Sequence, residues 1–575
     1  MQGANEKEKV IEHLLYIYKN TVGLDLFTSK QNFINVQNRL RELFNQPDLI
    51  IGISVFFQKA DKKNELVRLM TLDKIHKNND VKSIYRDAIH YSNKHYEQSI
   101  YAMSISDEYR IVEDFTQLTK SGIDYWLMRK GVRGMILSPL KKGEIVLGFL
   151  ELTSTNKLVK SQINIEYLQA LIPVFTNAVD NFRQALKMEL HSLIRKHFTA
   201  IHPTVEWIFE DLAVEWLKEE SDIAAIEAPI LLEKIYCLYG VSDIRGSSVL
   251  RRNAIQEDLK TQVELAKKIL KISYEINPLD HFQYLIFTLD KFSMTLNENI
   301  KVSDENAAIN FLRREVEVLF NQVKAFSKDL KELCEFYEEN LSETGAFYKK
   351  RREFETSVHL LNLVLNRFIG EQQEGIQKIY SHFFEKHITD GIEHSIFVGS
   401  AIDFSKRFNN FYLKSLKIWQ LKLLCQCAIL GERVKRYLSL PLDLAHLVVS
   451  QSEPVTIYFD FQEKKFKVEG TYNIRFEIMK KRIDKALIKG TNERLTQPGT
   501  VAVVYTFDAD REEYMGYFNF LLNLGYIKSN CADYVLEDMQ GIQGLRALRA
   551  DIDIEKLSQI MDIDILLEKQ YGLKK

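Results

Sequence analysis

"SGIDYWLMRKGVRGMILSPLKKGEIVLGFLELTS", residues 121–154, decides how the first part of this chain folds. Its opening residues have helical spacing and stop at Gly131. "MILSPL" reads as a strand closed by Pro139, since proline cannot donate to a ladder. "KKG" is then a turn in which Gly143 takes positive φ at no steric cost. "EIVLGFLELT" returns as the partner strand. Ile145, Leu147 and Phe149 lie on one face, Val146, Leu150 and Leu152 on the other, and the apolar run lasts until Glu151. A strand apolar on both faces belongs to a sheet covered on both sides.

Upstream, "SKQNFINVQNRLRELF" places Phe33, Val36, Leu40 and Leu43 on one helical face. "LIIGISVFF" has the length and β-branched content of a buried strand. A polar helix is expected near 81–96 and an irregular stretch to about 120. Downstream, "INIEYLQALIPVFTNAVDNFRQALKMELHSLIRKHF" is one long helix with Pro173 as a kink.

The succession of a helix, Gly-Val-Arg-Gly, a strand ending Pro-Leu, a Lys-Lys-Gly turn, "GFLELTS" and a long helix resembles the second half of a GAF domain. The resemblance covers residues 31–190 and is firmest over 121–185. It implies an antiparallel sheet of about six strands flanked by helices, a small-molecule pocket on one face and terminal helices that pair in dimers. The ligand-specific subtypes do not fit. The first cysteine is Cys237, so nothing before it can tether a bilin, and the Asn-Lys-x-Phe-Asp-Glu motif of cyclic-nucleotide binders is missing. On the expected cavity, Tyr125, Trp126, Ser138 and Glu151 are the candidate ligand contacts; core packing is the rival use of the same residues.

Beyond residue 190 the expectation is a mostly helical middle region, 191–375. It contains a heptad-like helix at 312–341, in which Leu312, Val316, Leu319, Val323, Phe326, Leu330, Leu333 and Tyr337 recur in steps of four and three. Such a stripe serves an intramolecular helix pair or a dimer seam. From 376 to 575 a C-terminal region starts helical and turns α+β: a hairpin in "EPVTIYFDFQEKKFKVEG", a helix in "NIRFEIMKKRIDKALIK", a strand in "TVAVVYTF", a helix ending at Gly525, and a last strand in "YIKSNCADYVLE". With a leading helix over 1–30, the fold class is α+β and multidomain.

Net charge is −2 over 575 residues, which gives no global field toward nucleic acid or membrane. Only 24 glycines and 9 prolines disfavour a turn-rich all-β fold. Five scattered cysteines, with Cys-Gln-Cys at 425–427, lack zinc-site spacing and fit a reducing cytosol. No apolar run reaches 18 residues, and the first twenty residues are too acidic for a signal peptide. These features describe a cytoplasmic protein.

"YGVSDIRGSS", 239–248, resembles the first metal-binding stretch of class III nucleotide cyclases. That chemistry needs a second carboxylate at the tip of a following hairpin. Asp280 is the next candidate and lacks a Gly-Asp turn, and the chain then turns helical, so capping around Gly246 or pairing with Arg245, Arg251 or Arg252 is the competing role for Asp243. "HFFEKHITDGIEH" gathers His382, His387, Asp390, Glu393 and His394, with a turn expected at Gly391 rather than a metal site. His191, His197 and His202 are scattered around a helix. Lys481, Arg482 and Lys485 form a basic face beside "GTNERLTQPG", suited to a phosphate or an acidic partner, or simply solvated. No nucleophile elbow, glycine-rich phosphate loop or His-Glu-x-x-His is present.

The function read from these residues is that of a GAF-containing regulatory or sensory protein. It binds a small molecule or a partner protein, with no recognisable catalytic residue, metal site or named cofactor. A scaffold that dimerises through its helices is the alternative, and a divergent cyclase using Asp243 a second one.

Overall fold

The structure is a computed structural model. It describes residues 2–21, 23–58, 64–70, 84–85, 88–91, 96–97, 99–117, 122–198, 202–218, 230–297, 302–403, 407–450, 453–460, 465–468, 483–538 and 543–560. Two compact units emerge, residues 1–231 with 458–466, and 232–457 with 467–575. The division falls near 231.

The first unit begins with helices α1 (Gln2–Thr21) and α2 (Lys30–Leu43). Ser29 caps α2 by accepting from Asn32 N–H, and Phe33, Val36, Leu40 and Leu43 are buried as the spacing requires. The strands are β1 (Ile50–Gln58), β2 (Asn64–Met70), β3 (Ile89–Tyr91), β4 (Arg110–Val112), β5 (Gly134–Lys142) and β6 (Ile145–Ser154). They form one sheet in the order β3-β2-β1-β6-β5-β4, antiparallel throughout. Gly143 has φ 61° at the β5–β6 turn. Pro139 does not close β5: it sits inside the strand opposite Phe149. The polar helix expected near 81–96 is replaced at 89–91 by β3, and most of its remaining positions lie outside the described residues.

Two cores line this sheet. On one face Ile51, Ile53, Ile136, Leu150 and Leu152 pack with Phe33 and Leu40 of α2 and with Phe175, Val179 and Phe182 of α4 (Ile165–Phe198), which runs through Pro173. The other face presents Phe56, Leu66, Met135, Leu137 and Phe149 to Tyr101 and to Ile123 and Leu127 of α3 (Gly122–Arg129). α5 (Pro203–Lys218) follows α4.

The second unit is built on β7 (Leu231–Ile244). After it come α6 (Ser247–Ile276), α7 (Asp280–Thr295), α8 (Lys328–Glu339) and α9 (Lys349–Ile379). The heptad stripe is not one helix. Ser327 caps α8 by accepting from Leu330 N–H, so the chain starts a new helix there. Leu312, Val316, Val323, Leu330 and Tyr337 are buried inside their own chain against α6 and α7. The sheet then resumes with β8 (Phe383–Thr389) and β9 (Gly391–Gly399), followed by α10 (Asn410–Val434) and β10 (Leu444–Val449). β9 and β10 both pair antiparallel with β7, and β8 with β9, giving β8-β9-β7-β10, a split β-α-β arrangement. β11 (Val455–Asp460), β12 (Lys465–Val468), β13 (Thr500–Tyr505), β14 (Ala532–Val535) and β15 (Arg546–Asp551) bring the sheet to nine strands. β13 runs parallel to β10, and α11 (Asp508–Leu524) ends at Gly525 in the left-handed conformation. The helical stretch expected after Asp280 is followed by strands that return to β7 and complete its sheet.

α10 covers a polar seam on this sheet. His394 Nε2 lies 3.1 Å from Gln420 Nε2, and Ser242 Oγ lies 2.9 Å from His446 Nδ1. Gly240 makes the first pair possible, because a Cβ there would sit 2.6 Å from the His394 ring and 2.8 Å from Gln420 Nε2. Among the described residues no helix is long and apolar enough to cross a membrane.

Gly240→Ala is expected to destabilise the second unit by about 1–3 kcal/mol, the usual cost of overpacking. Urea unfolding reads this as a lower midpoint at unchanged slope.

Candidate functional site

Strand alternation decides what the α3-covered face of the first sheet carries. With Phe56 and Phe149 on that face, Ser54 and Gly52 follow on β1, Arg68 joins Leu66 on β2, and Glu151 follows on β6. Arg68 and Glu151 are 5 % and 0 % exposed, and Nη2 of the one lies 2.6 Å from Oε2 of the other. The two belong to strands on either side of β1, so the pair spans β1. Gly52 is directly opposite Glu151, and a Cβ there would fall 2.7 Å from Glu151 Oε2 and 2.9 Å from Arg68 Nη2. The absence of a side chain at Gly52 is what lets the two charges meet. Ser54 donates its hydroxyl to Glu151 Oε1.

Aromatic rings enclose the pair. The Arg68 guanidinium lies 5.9 Å from the Trp126 ring, which Tyr91 meets edge-on at 6.1 Å. Tyr101 packs edge-on against Phe149 at 5.3 Å, and Tyr96 against Phe56 at 5.2 Å. Burial lowers the Arg68 pKa, but the Glu151 carboxylate together with Tyr101 and Tyr91 outweighs it and holds the guanidinium above its ordinary value. Burial raises Tyr91 and Tyr101, and the Glu151 charge adds to both; Tyr96 is pushed up to about 12 by burial. All three tyrosines are therefore neutral donors at pH 7. Tyr91 interacts with Arg68 and Tyr101 with Glu151, whereas the Tyr96 hydroxyl and Arg68 Nε are buried without a hydrogen-bond partner. Each such group carries a desolvation penalty of about 1–3 kcal/mol. At the rim, Asp124 accepts from Ile100 N–H at 3.1 and 3.0 Å, and burial raises it to about 6 against the lowering effect of that bond.

The four expected contacts separate. Glu151 is at the centre, and the Trp126 ring lies beside its partner Arg68. Ser138 belongs to the opposite face: it pairs with Leu150 between Ile136 and Leu140, and donates to the Glu108 carbonyl at 3.0 Å. Tyr125 is 40 % exposed, with Arg129 5.8 Å from its ring. The sequence reading missed Arg68, Ser54, Tyr91 and Tyr101. The available signal was Glu151 itself, since an inward-facing carboxylate on a covered strand requires a cation.

A second constellation closes one end of the other sheet. Asp243 is the penultimate residue of β7, and Asp390 is the tip of the β8–β9 hairpin. The register sets Asp243 opposite Gly391, and Ile244 N–H donates to the Asp390 carbonyl at 2.8 Å. The hairpin carboxylate is thus Asp390, not Asp280, which begins α7. Arg251 Nη2 reaches Asp390 Oδ1 at 3.1 Å. Beside it lies a groove of about 280 Å³ lined by Arg251, Phe354, His359, Asn362, Asn366 and Ile388. The Oδ1 atoms of Asn362 and Asn366 are buried there without a hydrogen bond.

The remaining candidates do not converge. His387 is exposed on β8, whereas His382 and His394 are buried. Lys481 and Arg482 lie outside the described residues. Lys485 is exposed in the short turn Ile483–Lys485, and Leu487 pairs with Arg494 across a tight turn, so the described part of that segment is not a helix.

No family model and no curated protein matches the chain. Among solved structures it is similar to a phycocyanobilin-bound GAF domain from a cyanobacterial phytochrome (14 % identity, 31 % of this chain and 96 % of that one, TM-score 0.22). A phycoerythrobilin-bound GAF domain from a cyanobacterial phytochrome matches at 15 % over the same shares, TM-score 0.22. A bacteriophytochrome from the photosynthetic bacterium R. palustris matches at 11 %, over 41 % of this chain and 48 % of that one, TM-score 0.22.

Arg68→Met is expected to cost about 3–5 kcal/mol, because it leaves the Glu151 carboxylate buried without a cation. The double variant Arg68→Met/Glu151→Leu should recover most of that loss. Urea midpoints of the full chain provide the cycle, and losses that simply add would mean the two charges are uncoupled.

Proposed function

We propose that this chain is a cytoplasmic regulatory protein whose first unit is a GAF-like sensory domain, holding a small molecule on the Arg68–Glu151 face of its sheet. One observation carries this reading: a charged pair and three neutral tyrosine hydroxyls, with Arg68 Nε and the Tyr96 hydroxyl short of hydrogen bonds, share a single aromatic-walled layer. Sites for small molecules are mostly apolar with a few convergent polar groups, and this layer has that character. Arg68 and the neutral tyrosines offer donors, so the fitting ligand has an apolar body and acceptor oxygens such as a carboxylate or carbonyl. The GAF domains noted above are bilin-bound; here the absence of cysteine before Cys237 rules out a thioether link to the ligand. α4 leaves the sheet from the opposite core, and a ligand would act on it through unequal affinity for two states of the domain.

Native mass spectrometry of the full chain, purified without added ligand, tests the proposal. A small molecule released from the wild-type protein and missing from Arg68→Met/Glu151→Leu is the expected result. No bound mass, together with no rise in melting temperature across a panel of carboxylated and carbonyl-bearing metabolites, would leave the helical scaffold instead. A dimer in light scattering without ligand is that scaffold's signature.

A second reading rests on Asp243 and Asp390 sharing one sheet end. It assigns the second unit to nucleoside triphosphate chemistry through divalent cations held by the two carboxylates. Mn²⁺-dependent turnover of ATP or GTP, lost in Asp243→Asn, is expected on this reading; neither turnover nor nucleotide binding would end it.

A further inference from the structure

We propose that His191, Glu206 and Glu210 form a divalent transition-metal site joining α4 to α5, independent of any ligand in the sheet domain. Glu206 and Glu210 are one turn apart on α5, where like charges repel. Among the described residues no lysine or arginine pairs with either. What faces them is the imidazole of His191 on α4, with Nε2 3.4 Å from Glu210 Oε1 and 4.0 Å from Glu206 Oε1. The three donor atoms all lie within 4.8 Å of one another.

The spacing favours a shared cation over a plain ion pair. A charge-assisted N–H···O⁻ bond closes to about 2.7–2.9 Å. Donors held at about 2.0–2.2 Å from one tetrahedral metal stand roughly 3.4 Å apart. The His191–Glu210 distance already has that value, and a small rotation of the Glu206 side chain would bring the third donor in. The side chains are 32 %, 40 % and 40 % exposed, which leaves the remaining coordination positions to water. One imidazole with two carboxylates suits Zn²⁺, Mn²⁺ or Co²⁺ better than Mg²⁺ or Ca²⁺, which prefer all-oxygen sets. A bound ion would pin α5 against the helix that leaves the sheet, and so set how far α4 can move.

Isothermal titration of the EDTA-stripped full chain with Zn²⁺ at pH 7.5, and visible absorption of the Co²⁺ form, test this. Wild type should bind one equivalent that His191→Ala weakens by about tenfold or more. Glu206→Gln/Glu210→Gln should do the same, and the Co²⁺ ligand-field bands should be lost with either change. The double glutamine variant keeps side-chain shape, so it decides the matter even should His191→Ala fold poorly; equal metal-free melting temperatures establish that neither loss is unfolding. Isotherms identical in wild type and both variants, or no binding at all, would overturn the site.

Discussion

A guanidinium and a carboxylate buried in one apolar layer cannot be separated without leaving a bare charge in low dielectric, and that constraint organises the first unit. Arg68 and Glu151 lie on β2 and β6, with β1 between them, so their contact must pass over β1. Gly52 clears the path and Ser54 supplies a hydrogen bond to the carboxylate. A one-residue slip of either outer strand would send one charge to the opposite face, into Ile51, Ile136 and Phe175. The register of three strands is therefore fixed electrostatically as well as by apolar alternation. The same pair then gives the aromatic layer its chemistry, since Tyr91 and Tyr101 are held neutral beside it by burial and by the carboxylate.

In the second unit the controlling feature is the position of β7. It accepts β9 on one edge and β10 on the other, and its carboxyl end meets the hairpin turn that carries Asp390. Helices α6 to α9 intervene in sequence, most of them packed around a core of their own, including Leu259, Val263, Leu285, Leu312 and Tyr337. They bring Arg251 and Asp390, 139 positions apart, into an ion pair. An arginine in contact with the hairpin carboxylate neutralises the charge that a cation would otherwise meet. Nucleotide chemistry at this end thus requires Arg251 to turn toward a phosphate instead, which its 53 % exposure permits.

What could be read from the sequence follows the range of the forces involved. The 121–154 segment was legible because two-residue alternation and Gly143 are local signals, and α2 because its apolar stripe is continuous. Glu151 and Trp126 were named only as candidate contacts on the expected cavity. Arg68 was not, because "NELVRLM" alternates ordinarily and only the strand order places it across β1 from Glu151. Ser138 lies on the face opposite the charged pair, since parity along β5 says which residues share a face but not which face holds that pair. At 383–399 the turn at Gly391 was legible, but the two strands flanking it were not, because charged residues and histidines obscure their alternation. The stripe from Leu312 to Tyr337 has heptad spacing but no way to reveal that Ser327 would start a second helix.

The two units bury polar groups to different ends. Beneath α10, burial lowers His394 to about 4, with the Lys386 charge adding to the effect, and lowers His446 to about 3. Both imidazoles are neutral at pH 7, so the seam avoids the cost of a buried charge, yet each keeps one nitrogen without a hydrogen bond. Hydrophobic replacements of similar shape would avoid that cost too. What they would not do is fix where α10 docks: sliding it by a turn would separate Gln420 from His394, and Cys427 from its hydrogen bond with Ser242. The second unit's polar seam therefore defines packing, being neutral and sealed beneath a helix. In the first unit the buried groups include a full charge pair, and the donors around it lie in an aromatic layer closed by short elements instead of a long helix. Of the two faces, this is the one whose hydrogen-bonding capacity a small molecule could complete.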